Sequence, residues 1–188
     1  MKGKYVALIV IGAIVVIALI FTGQFIGWKN RLVDLDEGSK KAWAQVESQL
    51  QRRMDLIPNL VETVKGYAKH EETVLVDVTR ARASVAGAST IPDKMAANNQ
   101  LTPALSRLMV VVEKYPDLKA NQNFLGLQDE LAGTENRISV ARQRYNEAAQ
   151  ALNSTRRKFP YSLVSAGFKE APYFEAVAEA KEAPKVKF

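Results

Sequence analysis

The sequence contains no cysteine and only one histidine, His70, among its 188 residues. The absence of thiols excludes disulfide-stapled folds, thiolate metal sites and lipid attachment through a cysteine. It says nothing about the compartment, because a chain without thiols suits either side of a membrane. One histidine also leaves little room for histidine-based catalysis or zinc binding.

Charge is absent from one long stretch near the N-terminus. No charged residue lies between Lys4 and Lys29, and Val6–Phe21 is apolar at every position except Gly12. A helix of twenty-odd such residues, at ~1.5 Å each, spans roughly the 30 Å of a hydrocarbon core. The stretch is followed by the aromatic and basic residues expected at a membrane interface: Trp28, Lys29 and Arg31.

We therefore predict that residues 1–28 form an uncleaved transmembrane anchor. A cleaved signal peptide is the alternative, but the apolar run exceeds the usual ~7–15 residues and no small-x-small cleavage site follows it. Lys and Arg number two before the segment and four within Trp28–Trp43, which favours a cytoplasmic domain. A short basic N-terminus ahead of a long apolar run also delivers domains outward, and we favour that orientation.

Gly23 and Gly27 lie four positions apart near the end of the anchor. This spacing of small residues lets transmembrane helices approach closely, so the pair is a candidate site of self-association. The alternative is that the two glycines only loosen the helix as it leaves the bilayer.

Apolar periodicity predicts an all-α fold for the remaining residues. From Phe124 to Leu152 apolar residues recur at alternating spacings of three and four over four heptads, which is typical of a helix with one buried face. Similar stripes run from Trp43 to Ala68 and from Leu101 to Tyr115. No segment shows the sustained alternation typical of strands.

The chain is accordingly predicted to have three parts. The anchor (1–28) is followed by an antiparallel bundle of about four long helices (29–159) and a C-terminal aromatic and basic segment (160–188). The last segment either packs back on the bundle, which we favour, or contacts a partner or the membrane.

Turn-forming residues predict where the bundle helices end. Gly87–Asp93 is predicted to be a reversing loop, Tyr115–Asp117 a tight connection, and Phe159-Pro160 the end of the last long helix.

Two prolines fall inside or near apolar stripes. The stripe continues on both sides of Pro58, which predicts a kink or a brief break in that helix. Pro103 is predicted to lie in the first turn of its helix, with Thr102 as the cap.

No sequence motif points to catalysis. His70-Glu71-Glu72 resembles part of a metal motif, but no second histidine can complete it, and a solvated polar patch is the favoured interpretation. Gly-x-Ser-x-Gly, a P-loop and Gly-x-Gly-x-x-Gly are all missing. We predict a protein that is not an enzyme and has no catalytic residues, metal or cofactor.

Polar residues interrupt the apolar helices at a few positions. Asp55 and Asn59 flank Pro58, and Glu135, Arg142 and Asn146 share one helical face. We predict an interhelical polar network that sets helix register, with a groove for a partner as the alternative. Its members are Asp55, Asn59, Glu135, Asn136, Arg137, Arg142 and Asn146.

The net charge of +6 is spread among acidic residues and does not form a long basic run. Attraction to anionic headgroups, at ~1 kcal/mol per nearby Lys or Arg, or plain solubility explains such dispersed charge better than nucleic acid does. We therefore predict membrane lipid, and not nucleic acid, as the partner of the basic surface.

Several strings closely resemble the LemA family in order and spacing. They lie between about Arg31 and Phe188 and read AWAQVESQLQRR, DLIPNLVETVKGYA, LSRLMVVVEKYPDLKAN, GTENRI, ARQRYN and PYFEA. The resemblance implies a bacterial, single-pass, membrane-associated protein with an antiparallel helical bundle. It implies no reaction, because no catalytic residue set is established for that family.

Two functions fit these expectations. The first is a membrane-anchored scaffold in the inner membrane that forms homo-oligomers and organises the cell envelope. The second is an adaptor that presents the bundle to another envelope protein, such as a membrane protease or a transporter.

Overall fold

The computed structural model describes residues 2–68 and 70–174, and these residues form helices, turns and extended loops without a β-strand. The helices are α1 (Lys2–Tyr67), α2 (Glu72–Gly87), α3 (Ile91–Val112), the four-residue α4 (Pro116–Lys119) and α5 (Gln122–Arg157). Two short 3₁₀ turns follow, Tyr161–Leu163 and Ser165–Gly167. The predicted all-α fold with four long helices is confirmed.

The chain divides into two compact units. The first contains the residues up to Lys41 together with Glu147–Ala171, and the second contains Ala42–Asn146 and the residues from Pro172 onward. In the first unit Leu32, Ala149 and Leu152 are buried. These three side chains are therefore shielded from solvent.

The second unit is a bundle in which α1 and α5 run in opposite directions. Their side-chain pairs occur in opposite order along the two helices: Tyr67 with Asn121, Arg52 with Glu130, Gln49 with Arg137, and Trp43 with Tyr145. The α2 and α3 helices are also antiparallel, because Glu71 pairs with Tyr115 and Asp77 with Arg107.

The core of the second unit consists of the apolar stripes described above. Its most deeply buried members come from α1, α2, α3, α4 and α5: Ile57, Leu60, Val64, Val78, Leu101, Leu108, Leu118 and Phe124. Along α5 the predicted seam is buried at Leu131, Thr134, Ile138, Ala141 and Tyr145. At ~1.5–3 kcal/mol per buried large side chain, this packing is the main stabilising term of the bundle.

The predicted ends of α2 and α5 agree with the structure, whereas α3 begins inside the reversing loop that was predicted at Gly87–Asp93. The α2 helix ends at Gly87 and α3 begins at Ile91, while α5 ends at Arg157, ahead of Phe159. The connection at Tyr115–Asp117 differs slightly, because Pro116 begins the short α4. A proline is well suited to that first position, since its missing N–H needs no helical partner.

Of the kink or brief break predicted at Pro58, a break does not occur. The α1 helix continues through Pro58 from Lys2 to Tyr67. A proline within a helix leaves the carbonyl four residues earlier without its N–H donor, and here that carbonyl is Met54. The Nε of Arg82, on α2, donates to the Met54 oxygen at 2.8 Å and replaces the missing donor.

The placement of Pro103 in a first turn was also wrong. Pro103 lies inside α3, which begins at Ile91. The cap is Thr90, whose hydroxyl accepts the backbone N–H of Asp93, and Pro92 occupies the first turn. The apolar stripe from Leu101 marks only the second half of α3, because the first half is rich in Ala and Asn.

Candidate functional site

The N-terminal part of α1 exposes a continuous apolar surface in the first unit. Its large side chains between Leu8 and Ile26 are 43–72% exposed. Among the described residues, α1 is the one helix long and apolar enough to cross a membrane. An exposed apolar surface of this length calls for lipid or another helix to cover it.

The end of this surface carries the predicted interfacial residues. The ring of Trp28 packs edge-on against Phe21, with centroids 6.0 Å apart, while Lys29 and Arg31 are exposed. Hypothetical Cβ atoms at Gly23 and Gly27 would meet no atom within 4 Å. The pair thus leaves open space beside the helix.

Arg53 forms the centre of a buried polar cluster in the second unit. Its side chain on α1 is 5% exposed and lies 2.6 Å from the Oε2 of Glu135, on α5. Its Nη1 also donates to the Oδ1 of Asn98 at 3.3 Å and to the Oγ1 of Thr102 at 3.2 Å, both on α3. One guanidinium therefore links three helices.

Burial lowers the pKa of Arg53, and the negative charge of Glu135 opposes that shift. The arginine remains charged, because a guanidinium is not deprotonated in proteins. Its Nε is buried without a hydrogen-bond partner among the described residues. The cluster thus holds one nearly buried charge whose main compensation is Glu135.

A charged pair outside this cluster also joins α1 to α5. The Nη2 of Arg52 donates to the Oε2 of Glu130 at 2.9 Å, and this hydrogen bond lowers the pKa of Glu130. The Nη2 of Arg137 lies 3.8 Å from the same oxygen, and its Nε donates to Gln49 at 3.2 Å. These contacts are half-exposed and carry little stability each.

The predicted polar network is divided among different environments. Glu135 contacts the buried Arg53, whereas Arg137 lies among the exposed pairs just described. Asp55 and Asn59 lie on the exposed side of α1; Asp55 accepts a hydrogen bond from Gln51.

Asn136 is exposed and lines a groove of about 490 Å³ between α1 and α5. The groove also contains Gln45, Gln49, Arg137 and Arg144. It combines amides with two guanidinium groups, but its walls are open to solvent.

An aromatic pocket in the second unit holds Phe174 of the C-terminal segment. The ring of Phe174 lies 5.9 Å from that of Trp43 and 5.9 Å from that of Tyr145, centroid to centroid. Trp43 and Tyr145 are themselves 5.3 Å apart. The guanidinium carbon of Arg142 lies 4.5 Å from the centre of the Phe174 ring. Aromatic and cation–π contacts of this kind favour a defined ring position.

Asn146 holds the backbone beside that ring. Its Nδ2 donates to the carbonyl of Phe174 at 3.1 Å, and its Oδ1 accepts the N–H of Phe174 at 2.9 Å. The side chain thereby satisfies both backbone groups of one residue, as a neighbouring strand would. Within the second unit, the structure brings together Asn146 and Arg142 of the predicted network at this pocket.

Tyr145, whose ring lies beside those of Trp43 and Phe174, is 1% exposed. Its hydroxyl has no hydrogen-bond partner among the described residues. Burial raises the pKa of Tyr145 to about 12, with a smaller contribution from the charge of Tyr173.

The first unit contains a similar backbone contact. The fully buried Asn153 donates from Nδ2 to the carbonyl of Ala171 at 2.7 Å and accepts the Ala171 N–H at 2.9 Å. Arg156 and Arg157 lie 3.5 Å and 3.8 Å from the carboxylate of Glu170. Residues 175–188, to which the prediction for the C-terminal segment also applied, lie outside the described residues.

No cluster of three potential metal ligands occurs within residues 2–68 and 70–174. His70 lies in an exposed turn between α1 and α2. Glu71 accepts a hydrogen bond from the Tyr115 hydroxyl at 3.2 Å, which ties the turn to the end of α3.

Sequence reasoning missed four residues that organise these contacts. Arg53, Arg82 and Asn153 resembled ordinary polar residues of exposed helix faces, and Phe174 lay outside the long helices. The apolar periodicity did contain a signal for Arg53, because this residue lies three positions after Leu50 and four before Ile57, on the apolar face of α1. A charged residue on that face indicates a buried partner.

Known proteins resemble this sequence over most of its length. A model of the LemA family matches residues 42–188. The magnetosome protein MamQ 2 of Paramagnetospirillum magneticum is 27% identical over 202 residues, covering 93% of this chain and 74% of the relative. MamQ of Magnetospirillum gryphiswaldense is 25% identical, with coverages of 77% and 64%. Protein LemA of Metamycoplasma hominis is also 25% identical, with coverages of 72% and 62%. None of these names describes an enzyme.

Proposed function

The chain belongs to the LemA family, and we propose that it is a membrane-anchored, non-enzymatic scaffold that self-associates and organises the cell envelope. Membrane association and the helical fold follow from the family and from the apolar N-terminal helix. Self-association, the scaffold role and the partners are the proposal. Its partners are membrane lipid and further copies of the chain, and not nucleic acid.

The observation that carries the proposal is the uncovered apolar length of α1. The large side chains between Leu8 and Ile26 are 43–72% exposed among the described residues. The same helix continues without a loop into the bundle, up to Tyr67. A tether for an enzyme needs no such continuity, whereas a scaffold uses it to present the bundle from the membrane.

The open space at Gly23 and Gly27 supports association of copies through the anchor. Without Cβ atoms at these positions a second helix can approach the backbone closely. The interior of the bundle supports a non-enzymatic role, because the polar groups of Asn98 and Glu135 are both engaged by Arg53.

The self-association test is a mass measurement and chemical cross-linking of the full-length protein in mild detergent. We expect an oligomer that dissociates when Gly23 and Gly27 are both changed to Leu. Gly12→Leu is the matched control, because Gly12 also lies in the apolar run with open space around it. A strictly monomeric wild-type protein would refute the scaffold.

We further propose that the bundle lies on the extracytoplasmic side of the inner membrane. The absence of cysteine makes the test simple, because Ser89→Cys in the exposed α2–α3 connection introduces the one thiol of the chain. A membrane-impermeant maleimide should label intact spheroplasts. Labelling only after lysis would place the bundle in the cytoplasm.

An adaptor is the second candidate, favoured by a groove between α1 and α2. The groove measures about 690 Å³, and Val61, Leu75 and Val76 line it together with charged residues such as Lys65 and Arg80. This combination suits an envelope protein such as a membrane protease or transporter. Capture of a stoichiometric partner that is lost with Val76→Glu would favour the adaptor, and capture of further copies alone would favour the scaffold.

A further inference from the structure

We propose that residues 158–168 of the first unit, here called the tip loop, form a second membrane contact. The tip loop inserts Phe159 and Leu163 into the headgroup region of the bilayer. Its ligand is a lipid surface with anionic headgroups, in the same membrane that holds α1. The inference rests on the anchoring of α1 in lipid and is independent of self-association.

The tip loop exposes two large apolar side chains. Phe159 is 80% exposed, the highest fraction for a large apolar side chain among the described residues, and Leu163 is 62% exposed. These fractions are as high as those of the lipid-facing surface of α1, which are 43–72%. Neighbouring exposed apolar side chains in one loop call for a partner that covers them.

The backbone of the tip loop is folded on itself. The N–H of Ser162 donates to the carbonyl of Lys158 at 2.9 Å. The N–H of Val164 donates to the carbonyl of Tyr161 at 3.0 Å. Backbone groups that are already paired make entry into an apolar medium less costly, because they need no water as a partner. The loop is therefore suited to contact lipid without unfolding.

The tip loop is the turn of a hairpin within the first unit. The chain enters this unit along α5 at Glu147 and leaves it after Ala171. Asn153, on α5, bonds both the N–H and the carbonyl of Ala171, so the returning chain lies beside the helix. The residues between these two sides form the free end of the hairpin.

This free end lies toward the apolar part of α1. The chain passes between the two units at Lys41, Glu147 and Ala171, so α1 and the hairpin are joined to the rest of the chain at the same end of the unit. The part of α5 from Glu147 to Arg157 is ~15 Å long. An equal length of α1, measured back from Lys41, ends at Arg31. The tip loop therefore begins close to the level at which the uncharged stretch of α1 ends.

Burial along α1 supports this level. Leu32 is fully buried and Trp28 is half-buried, whereas the large side chains from Ile26 back to Leu8 are exposed. The hairpin makes up the rest of the unit, so it covers Leu32, and its cover ends near Trp28. A tryptophan at the end of an apolar helix marks the membrane interface. The tip loop thus presents its apolar side chains at the depth of that interface.

Basic side chains accompany the two apolar ones. Lys158 and Lys169 are exposed, and the side chain of Arg157 is 64% exposed. The nearby acidic residue Glu170 is paired, with Arg156 at 3.5 Å and Arg157 at 3.8 Å. Apolar side chains among basic ones bind the boundary of an anionic bilayer. A second copy of the tip loop would bring the same positive charge, so charge favours lipid over another copy.

The test is site-directed spin labelling of the full-length protein in vesicles of phosphatidylglycerol and phosphatidylethanolamine. Because the chain has no cysteine, Leu163→Cys introduces one label, in the tip loop. Collisions of the label with oxygen, which concentrates in lipid, and with a water-soluble nickel chelate report its depth. Val110→Cys is the matched control, because Val110 is an apolar residue that is 67% exposed and lies outside the first unit.

We expect the oxygen-to-nickel collision ratio at position 163 to exceed that at position 110 about fivefold or more, since the acyl boundary admits oxygen and excludes the chelate. Equal ratios at the two positions would overturn the proposal. A label at position 163 that is shielded from both reagents would also overturn it, because protein would then cover the tip loop.

A charge in the tip loop should weaken its contact with lipid. Phe159→Glu, added to Leu163→Cys, should lower the collision ratio about twofold or more, because a carboxylate stays in water. Val110→Glu in the same background puts that charge at another exposed apolar position and should leave the ratio unchanged. An unchanged ratio with Phe159→Glu would contradict insertion of the loop.

The lipid composition tests the role of the basic side chains. In vesicles of phosphatidylcholine alone, the collision ratio at position 163 should be lower than in the anionic vesicles, because the attraction of Lys158 and Lys169 is lost. The same ratio in both kinds of vesicle would overturn the assignment of anionic headgroups as the ligand.

A label in α1 separates this inference from the anchoring on which it rests. Ile17→Cys, at a position that is 65% exposed within the apolar stretch, should give the high collision ratio of the hydrocarbon core. Lipid exposure at position 17 together with water exposure at position 163 would overturn the tip-loop contact alone. Water exposure at both positions would overturn the anchor and the tip-loop contact together.

Discussion

The Nε of Arg82 lies 2.8 Å from the carbonyl oxygen of Met54, the oxygen that Pro58 leaves without a helical donor. The two residues are 28 positions apart and belong to different helices. A side chain of α2 therefore replaces a backbone bond of α1. This explains how α1 keeps its helical course through a proline.

The first prediction concerns the hydrogen bond from Arg82 to the Met54 carbonyl. Arg82→Met should destabilise the protein by about 1–3 kcal/mol, because the half-buried carbonyl of Met54 loses its hydrogen-bond partner. In a Pro58→Ala background the loss should fall below about 0.5 kcal/mol, because residue 58 then supplies an N–H. Urea unfolding in mild detergent, followed by circular dichroism, measures both. Arg80→Met, at an exposed position of the same helix, is the control; equal losses in both backgrounds would argue against the proposed role of Arg82.

The second prediction concerns the Arg53 cluster. Glu135→Gln leaves a buried guanidinium without its countercharge, and the free energy of unfolding should fall by about 2 kcal/mol. The loss is smaller than for a fully buried pair, because Glu135 is half-exposed. Adding Arg53→Met to the Glu135→Gln variant should restore at least half of the lost unfolding free energy. Glu130→Gln, which breaks an exposed pair, should cost clearly less than Glu135→Gln. A larger loss for Glu130→Gln than for Glu135→Gln would contradict this account.

The third prediction concerns Tyr145. Tyr145→Phe removes a buried hydroxyl that has no partner among the described residues, and the free energy of unfolding should stay equal or rise by about 1 kcal/mol. A loss above about 1 kcal/mol would show that the hydroxyl has a partner. Thermal unfolding at neutral pH gives the comparison.

The fourth prediction is the alkaline dependence of the same residue. The folded chain holds the Tyr145 proton more tightly, with a pKa of about 12 against about 10 when unfolded. The resulting stability is complete below pH ~10 and is lost as the pH rises toward 12, by an amount of order 2 kcal/mol. Tyr145→Phe should flatten this part of the stability–pH curve. An unchanged curve would show that another group is responsible.

The fifth prediction compares two glycines within α5. Gly126→Ala should raise the free energy of unfolding by about 0.5–1 kcal/mol, because alanine favours the helix and a Cβ there meets no atom within 4 Å. Gly133→Ala should raise the free energy of unfolding less, because the new Cβ would lie 3.3 Å from the Nη1 of Arg137. A greater gain at Gly133 than at Gly126 would contradict the difference in space.

Most of the helical architecture could be predicted from local patterns. The seam from Phe124 to Leu152 and the stripe from Trp43 to Ala68 identified buried helix faces, because burial repeats with the helical period. The first half of α3 was missed, since its Ala and Asn residues form no apolar stripe. Pro103 was therefore assigned to a first turn that actually lies at Pro92.

The candidate site was predicted less completely. Glu135, Arg142 and Asn146 were selected because they share a face of α5, yet Glu135 meets Arg53 whereas Arg142 and Asn146 meet Phe174. Their partners lie 82, 32 and 28 positions away along the sequence. A helical pattern shows which residues share a face, but it does not show which other element covers that face.

The sequence by itself therefore determined the anchor and the all-α class. Both depend on neighbouring residues: the uncharged length from Tyr5 to Trp28, and the spacing of apolar side chains along single helices. Only the tertiary structure decided how Met54 is satisfied, where Arg53 finds its countercharge and which pocket holds Phe174. These depend on side chains brought together from separate helices, and a buried polar group is stable only where such a partner arrives.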